Sequence, residues 1–130
     1  MKNKKFITVI NCMDGRVQLP VNNWLRKRFQ ADFVDTITEP GPNRILATNS
    51  PKFLVTSIKK RVEISIKKHK SKLIAIVGHY DCAGNPVTKE KQIDHILKAK
   101  QKIGSWNLGV KIICLWVNEK WKVEEIPDLK

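Results

Sequence analysis

The sequence predicts an α/β fold: a single domain over residues 1–130, with a mostly parallel central sheet flanked by helices. Three observations carry this. Short β-branched or apolar runs alternate along the chain with longer stretches whose apolar positions recur at helical spacing. The run Leu73 to Gly78 (LIAIVG) contains no polar side chain, as expected of a central parallel strand buried on both faces. Apolar residues make up 42% of the 130, enough for one hydrophobic interior, and the length is that of one core.

Taken in order, Phe6 to Asn11 (FITVIN) is β-branched and ends at a polar turn, the pattern of a first buried strand. After Pro20, Val21, Trp24, Leu25 and Phe29 share one helical face, with Arg26, Lys27 and Arg28 between them, which predicts a short amphipathic helix. Ala31 to Thr38 reads as the second strand. Glu39 to Asn49 holds Pro40, Gly41, Pro42 and Asn43 and is expected to be a loop, long enough to be a functional one. Ser50 and Pro51 look like a helix start, a side-chain cap followed by proline in the first turn. Leu54, Ile58, Val62 and Ile66 then keep one face apolar as far as His69. Leu73 to Gly78 is the third strand. Thr88 opens a helix carrying Ile93, Ile96, Leu97 and Ile103 on one side, and Gly104 closes it. Val110 to Val117 is a fourth strand, and Asn118 to Lys120 turn the chain into a final one, Trp121 to Ile126.

Right-handed crossovers restrict how these elements connect. The long Ser50 to His69 helix can carry the chain back across the sheet, which favours the order 2-1-3-4 with a final antiparallel strand. The first and third strands are then neighbours whose helices leave toward opposite faces. Ligands bind in the crevice at the carboxyl ends of such strands.

Composition excludes some roles. No apolar run approaches the roughly 20 residues of a membrane-spanning helix, and Phe6 to Ile10 is too short for a signal-peptide core, so a cytoplasmic location is expected. Three cysteines, an odd number, argue against a disulfide framework and for metal binding, nucleophilic chemistry or simple burial. Lys and Arg number 25 against 12 Asp and Glu, a formal charge of +13 that attracts anions of every size and names none of them.

The first strand ends in Cys12-Met13-Asp14-Gly15-Arg16, and the third in Gly78-His79-Tyr80-Asp81-Cys82. Two thiols and an imidazole therefore converge on one crevice. Cys and His are zinc ligands, and three protein ligands with a fourth position open is the pattern of catalytic zinc sites. Cys12, His79 and Cys82 supply three. Simple burial of small residues at strand ends is the alternative, but it leaves the His, the Asp and the Arg at the same place without a reason.

Cys-x-Asp-x-Arg after a first strand and His-x-x-Cys after a central one resemble the β-class carbonic anhydrases. The resemblance implies that Cys12, His79 and Cys82 bind Zn2+ and that Asp14 and Arg16 form a hydrogen-bonded catalytic pair beside it. It implies reversible hydration of carbon dioxide to bicarbonate by attack of zinc-bound hydroxide, with Asp14, held by Arg16, orienting the nucleophile. A single sheet with Trp121 to Ile126 at or near one edge and a crevice open at one end invites pairing, which predicts a homodimer or higher homo-oligomer, although the amino-terminal helices that embrace a neighbouring subunit in many members of the family have no counterpart before Phe6. Where many members carry Arg-Asn-Ala-Gly after the second strand, this chain has Thr38-Glu39-Pro40-Gly41-Pro42-Asn43. Carbon disulfide hydrolases share the scaffold and zinc site, so a related heteroallene is the alternative substrate.

A reading from another class is a basic nucleic-acid-binding or interaction protein with a structural zinc. It rests on the charge alone, since no nucleic-acid motif is present and no aromatic residues interleave the Lys runs. Neither nucleic acid nor a membrane is therefore an expected partner. Among the other candidates, Cys114 reads as core and His69 as a solvent-facing helix end, while Gln30 stands before the second strand, where some members of the family carry a pocket glutamine, and reads equally as a surface residue. His95 is a candidate proton shuttle weighed against a core role, Tyr80 and Asp81 are candidate pocket residues, and Trp24, Trp106, Trp116 and Trp121 read as core or subunit interface.

Overall fold

The structure is a computed structural model and describes residues 4–128. The chain runs β1 (Phe6–Cys12), a 3-10 turn (Gly15–Val17), α1 (Gln18–Phe29), β2 (Phe33–Glu39), α2 (Pro42–Thr48), α3 (Lys52–Lys68), β3 (Leu73–His79), α4 (Lys89–Gly104), β4 (Lys111–Val117) and β5 (Val123–Ile126). The five strands form one sheet in the order β2-β1-β3-β4-β5, parallel except for β5, which pairs antiparallel with β4. This is the predicted architecture.

Strand alternation sends side chains to two separate cores. On one face Ile7, Val9, Ala75 and Val77 pack beneath α1, which contributes Val21 and Leu25. On the other, Ile10, Ile74 and Ile76 meet Leu46 of α2, Ile58 of α3 and Ile96 of α4. Burying each such Ile or Leu contributes about 1.5–3 kcal/mol relative to exposure, which is what makes β3, buried at every residue, the spine of the fold.

Two expectations need correcting. Residues 39–49 are not a continuous loop, because Pro42–Thr48 forms α2. Pro42 occupies the first helical position, where its missing N–H leaves nothing unpaired. So short a helix is marginal alone; burial of Ile45 and Leu46 in the core holds it. Ser50 does not cap α3. Pro51 is the capping residue, its carbonyl accepting from the amides of Leu54 and Val55, while the Ser50 amide is tied to Ile45 at the end of α2. Smaller differences shift boundaries: α1 begins at Gln18 with Pro20 in its first turn, β2 begins at Phe33, and β5 begins at Val123.

The central strands do not stay paired to their ends. β1 and β3 are bonded only from Thr8–Ile74 to Ile10–Ile76, whereas β1–β2 pairing continues to Cys12–Glu39 and β3–β4 pairing to His79–Val117. The two strands part before their carboxyl ends, α1 leaving to one face and α4 to the other. The crevice between them receives Cys12 and His79.

Candidate metal centre

Cys12 ends β1, His79 ends β3 and Cys82 lies in the turn after β3; all three are buried. Their sulfur and nitrogen atoms lie within 4.8 Å of one another, and they are the group of His, Cys, Asp and Glu residues able to hold a metal ion among the described residues. The Cys12 and Cys82 Sγ atoms are 3.8 Å apart. Two thiolates about 2.3 Å from one tetrahedral zinc would stand about 3.8 Å from each other, so the spacing suits that ion. His79 Nδ1–H donates to the Tyr80 carbonyl at 2.7 Å, which leaves Nε2 with a free lone pair. That nitrogen is buried without a hydrogen-bond partner. An orphaned imidazole nitrogen beside two thiols is costly in a protein interior and is what a metal would satisfy. The donor set fits a zinc ion.

The backbone is arranged for negative sulfur. Amides of Gly41 and Asp14 donate toward Cys12, and amides of Gly84 and Asn85 toward Cys82. The contact with the Cys82 thiol lowers the Cys12 thiol to about 4 against the opposing effect of burial, with His79 helping. The same contact, together with burial, drives the Cys82 thiol up. The amides around both sulfurs favour the thiolate form, and a divalent cation would extend that state to both.

Two glycines make this possible. Gly41 has a left-handed backbone, φ 58°, and a Cβ there would lie 2.7 Å from the Gly84 carbonyl carbon. A Cβ on Gly84 would lie 2.4 Å from that of Pro40. The loops after β2 and β3 therefore cross backbone to backbone, each presenting an amide to a different sulfur.

Beside the thiols, Asp14 Oδ2 accepts from Arg16 Nη2 at 2.7 Å and Oδ1 accepts from Arg16 Nε at 3.1 Å and from the Arg16 amide at 2.9 Å. These hydrogen bonds, led by the guanidinium, hold the Asp14 carboxyl down at about 2 and raise Arg16. The pair read from sequence is present. Arg16 is further braced than the sequence indicated: it donates to Asp81 Oδ2 at 3.2 Å and to the Asp81 carbonyl at 3.1 Å, and its guanidinium lies 4.4 Å over the Trp121 ring. Trp121 also faces Tyr80, the ring centroids 6.4 Å apart. A cavity of about 480 Å³ opens beside Cys82, with His79, Cys82, Val87 and Trp116 in its wall.

A buried polar chain backs the loops. Asn43 Nδ2 donates to Gln92 Oε1 at 2.6 Å, Gln92 Nε2 to the Asn85 carbonyl at 2.9 Å, and Asn85 Nδ2 to His95 Nδ1 at 2.9 Å. Gly78 leaves room for it, since a Cβ there would lie 2.7 Å from Gln92 Oε1. Sequence reading missed Asn43, Asn85 and Gln92; their one signal was a polar residue on the otherwise apolar face of α4. His95 sits in this network, 8% exposed. Cys114 is core, as read. Gln30 is exposed, donating to the Lys27 carbonyl, and His69 is a half-exposed helix end bonded to Asp35. Trp116 is core and Trp106 packs against the same cluster, Trp24 packs against the cluster on the opposite face, and Trp121 packs there too while also serving the Arg16 cluster.

Residues 2–127 match the family described as "Putative carbonic anhydrase". No curated protein sequence matches significantly. Among solved structures, isoform I β-carbonic anhydrase of the protozoan Trichomonas vaginalis is similar at a TM-score of 0.62 and 19% identity, over 94% of this chain and 82% of that one. A carbonic anhydrase of Glaciozyma antarctica gives 0.58 and 15%, over 96% and 83%. One of two tetrameric β-carbonic anhydrases of Sordaria macrospora gives 0.59 and 12%, over 98% and 83%. With the family matched along nearly its whole length and the sheet order of the β-class around a Cys-His-Cys crevice, this chain belongs to the carbonic anhydrase family and has the β-class fold.

Proposed function

We propose that the protein is a zinc-dependent carbonic anhydrase catalysing reversible hydration of carbon dioxide to bicarbonate. The observation that carries this is the buried trio Cys12, His79 and Cys82, with sulfurs 3.8 Å apart and His79 Nε2 left unpartnered. These three would hold the ion, His79 in the tautomer set by the Tyr80 carbonyl. Zinc, when bound, supplies a lowered water pKa and so a nucleophile for carbon dioxide near neutrality.

The rest is done by the chain. Asp14, kept ionised by Arg16, accepts a hydrogen bond from the attacking water and fixes the direction of its lone pair. Arg16 keeps the carboxylate turned to itself rather than to the metal, and Asp81 and Trp121 keep Arg16 in place. Cys12 and Cys82 bring two negative charges to the site, so activity is expected to rise toward alkaline pH.

Metal analysis combined with carbon dioxide hydration tests the reading, with carbon disulfide assayed in parallel. One zinc per chain and hydration turnover are expected. Protein purified without chelator that holds no zinc would overturn it.

We also propose a homo-oligomer in the cytoplasm. The open sheet edges at β2 and β5 invite pairing, and the Sordaria relatives are tetrameric. Three unpaired cysteines suit a reducing compartment, and no helix among the described residues is long and apolar enough to cross a membrane. Sedimentation of a monomer at micromolar concentration with activity retained would refute the oligomer.

A further inference from the structure

At the end of the sheet opposite the thiols lies a second cavity, of about 530 Å³. Strands of seven residues at roughly 3.3 Å per residue put it about 20 Å from the metal ligands. Around it stand Lys4 and Lys5 before β1, Lys70 and Lys72 before β3, and Lys111 at the start of β4. No carboxylate among the described residues lines it. Its walls are mainly apolar, with Phe29 and Leu73 among them.

This clustering is fixed by the backbone rather than by flexible side chains meeting by chance. The Lys72 carbonyl accepts from the Lys111 amide at 3.2 Å, so two cations sit on adjacent strands. Lys5 Nζ donates to the Phe29 carbonyl at 2.6 Å, which pins its ammonium at the cavity. Lys70 holds a left-handed backbone, φ 60°, in the turn from α3 to β3. Elsewhere Lys67, Lys91 and Lys98 have acidic partners, but none of these five forms an ion pair among the described residues. Asp32, near this end, is engaged by the Lys5 amide at 2.7 Å and does not line the cavity. Like charges side by side without a counter-charge repel, and an anion would relieve them.

We propose that this cavity binds an organic phosphate, its charged phosphates among the five lysines and its apolar part against the wall of Phe29 and Leu73. A bare oxyanion would answer the charge and leave the apolar wall wet; a neutral apolar ligand would leave the lysines unanswered. A nucleoside diphosphate and an alkyl phosphate share the required chemistry. The site is independent of the reaction proposed at the thiols.

Calorimetry on the full chain at about 0.1 M salt, where weak surface attraction is largely screened, tests the proposal with ADP, dodecyl phosphate and pyrophosphate as probes. At least one organic phosphate is expected to bind at one site, about tenfold or more tighter than pyrophosphate. If only ADP does so, the occupant is a nucleotide; if only dodecyl phosphate, a lipid-like phosphate. Lys72→Glu with Lys111→Glu should weaken that binding by about tenfold or more, whereas Lys52→Glu with Lys60→Glu, the same charge change on α3, should alter it less than about twofold. Hydration activity should be unchanged in both. Pyrophosphate binding as tightly as both organic phosphates, equal losses in the two variants, or no binding of any probe would overturn the proposal.

Discussion

Gly41 and Gly84 touch through their backbones, with no room for a Cβ on either: one on Gly84 would fall 2.6 Å from the Gly41 nitrogen. This crossing is what brings an amide to each of the two sulfurs. The atoms in the way are backbone, so they cannot rotate aside. Gly84→Ala should therefore destabilise the protein by about 3 kcal/mol, the upper range of overpacking, and lower its zinc content. Urea unfolding beside metal analysis would show this; unchanged stability would mean that the loops can separate freely.

Cys82→Ser should lose most bound zinc, because a serine hydroxyl stays protonated at neutral pH and is a poor replacement for a thiolate. Cys114→Ser should lose none. Cys114 lies in the α2–α4 core, where burial pushes its thiol up to about 11 and keeps it neutral. Metal stoichiometry of the two variants is the measurement, and equal losses would contradict the ligand assignment.

Arg16→Ala should retain zinc and fold, yet lose most hydration activity. Without the guanidinium at 2.7 Å, Asp14 is free to turn toward the metal, and zinc accepts a carboxylate oxygen at about 2.0–2.2 Å. Trp121→Ala, which removes the ring under Arg16 and leaves the guanidinium hydrogen bonds to Asp14, should lose less. Turnover together with metal content distinguishes the two; full activity in Arg16→Ala would show that the pair does not control access to the metal.

His95 gives the fold a pH dependence of definite sign. Burial, then the charge of Lys91, with Lys98 and Arg44 adding to it and Asp94 opposing, holds the imidazole below its ordinary 6.5. Its Nδ1 accepts from Asn85, a bond that protonation there would break. The unfolded chain binds the proton more readily, so the contribution is complete above 6.5 and declines as the pH falls from there toward the folded value. His95→Gln should flatten the dependence of unfolding free energy on pH below 6.5. An unchanged slope would locate the acid sensitivity elsewhere.

Much of the architecture was legible along the chain. The apolar run Leu73 to Gly78 marks a central strand, the spacing of Ile93, Ile96 and Ile103 marks α4, and the connection lengths give the order β2-β1-β3-β4-β5. Cys12, His79 and Cys82 were legible because strand ends whose helices leave to opposite faces converge on one crevice whatever the remaining packing, and Asp14 with Arg16 because they are two residues apart. What the sequence could not determine depends on residues far apart in the chain. α2 hides in a Pro-Gly-Pro stretch because a helix of seven residues is held by the core rather than by its own propensity. Trp121 reaches Arg16 only because β5 turns back beside β4, and Asn43 reaches Gln92 only because α2 packs on α4. The five lysines precede three different strands and become one site only when the parallel sheet aligns those strand starts. Local periodicity and motif spacing record which elements form. Which side chains then share a cavity is decided by the register and packing of the folded sheet, where the free energy of burial is realised and no local pattern reports it.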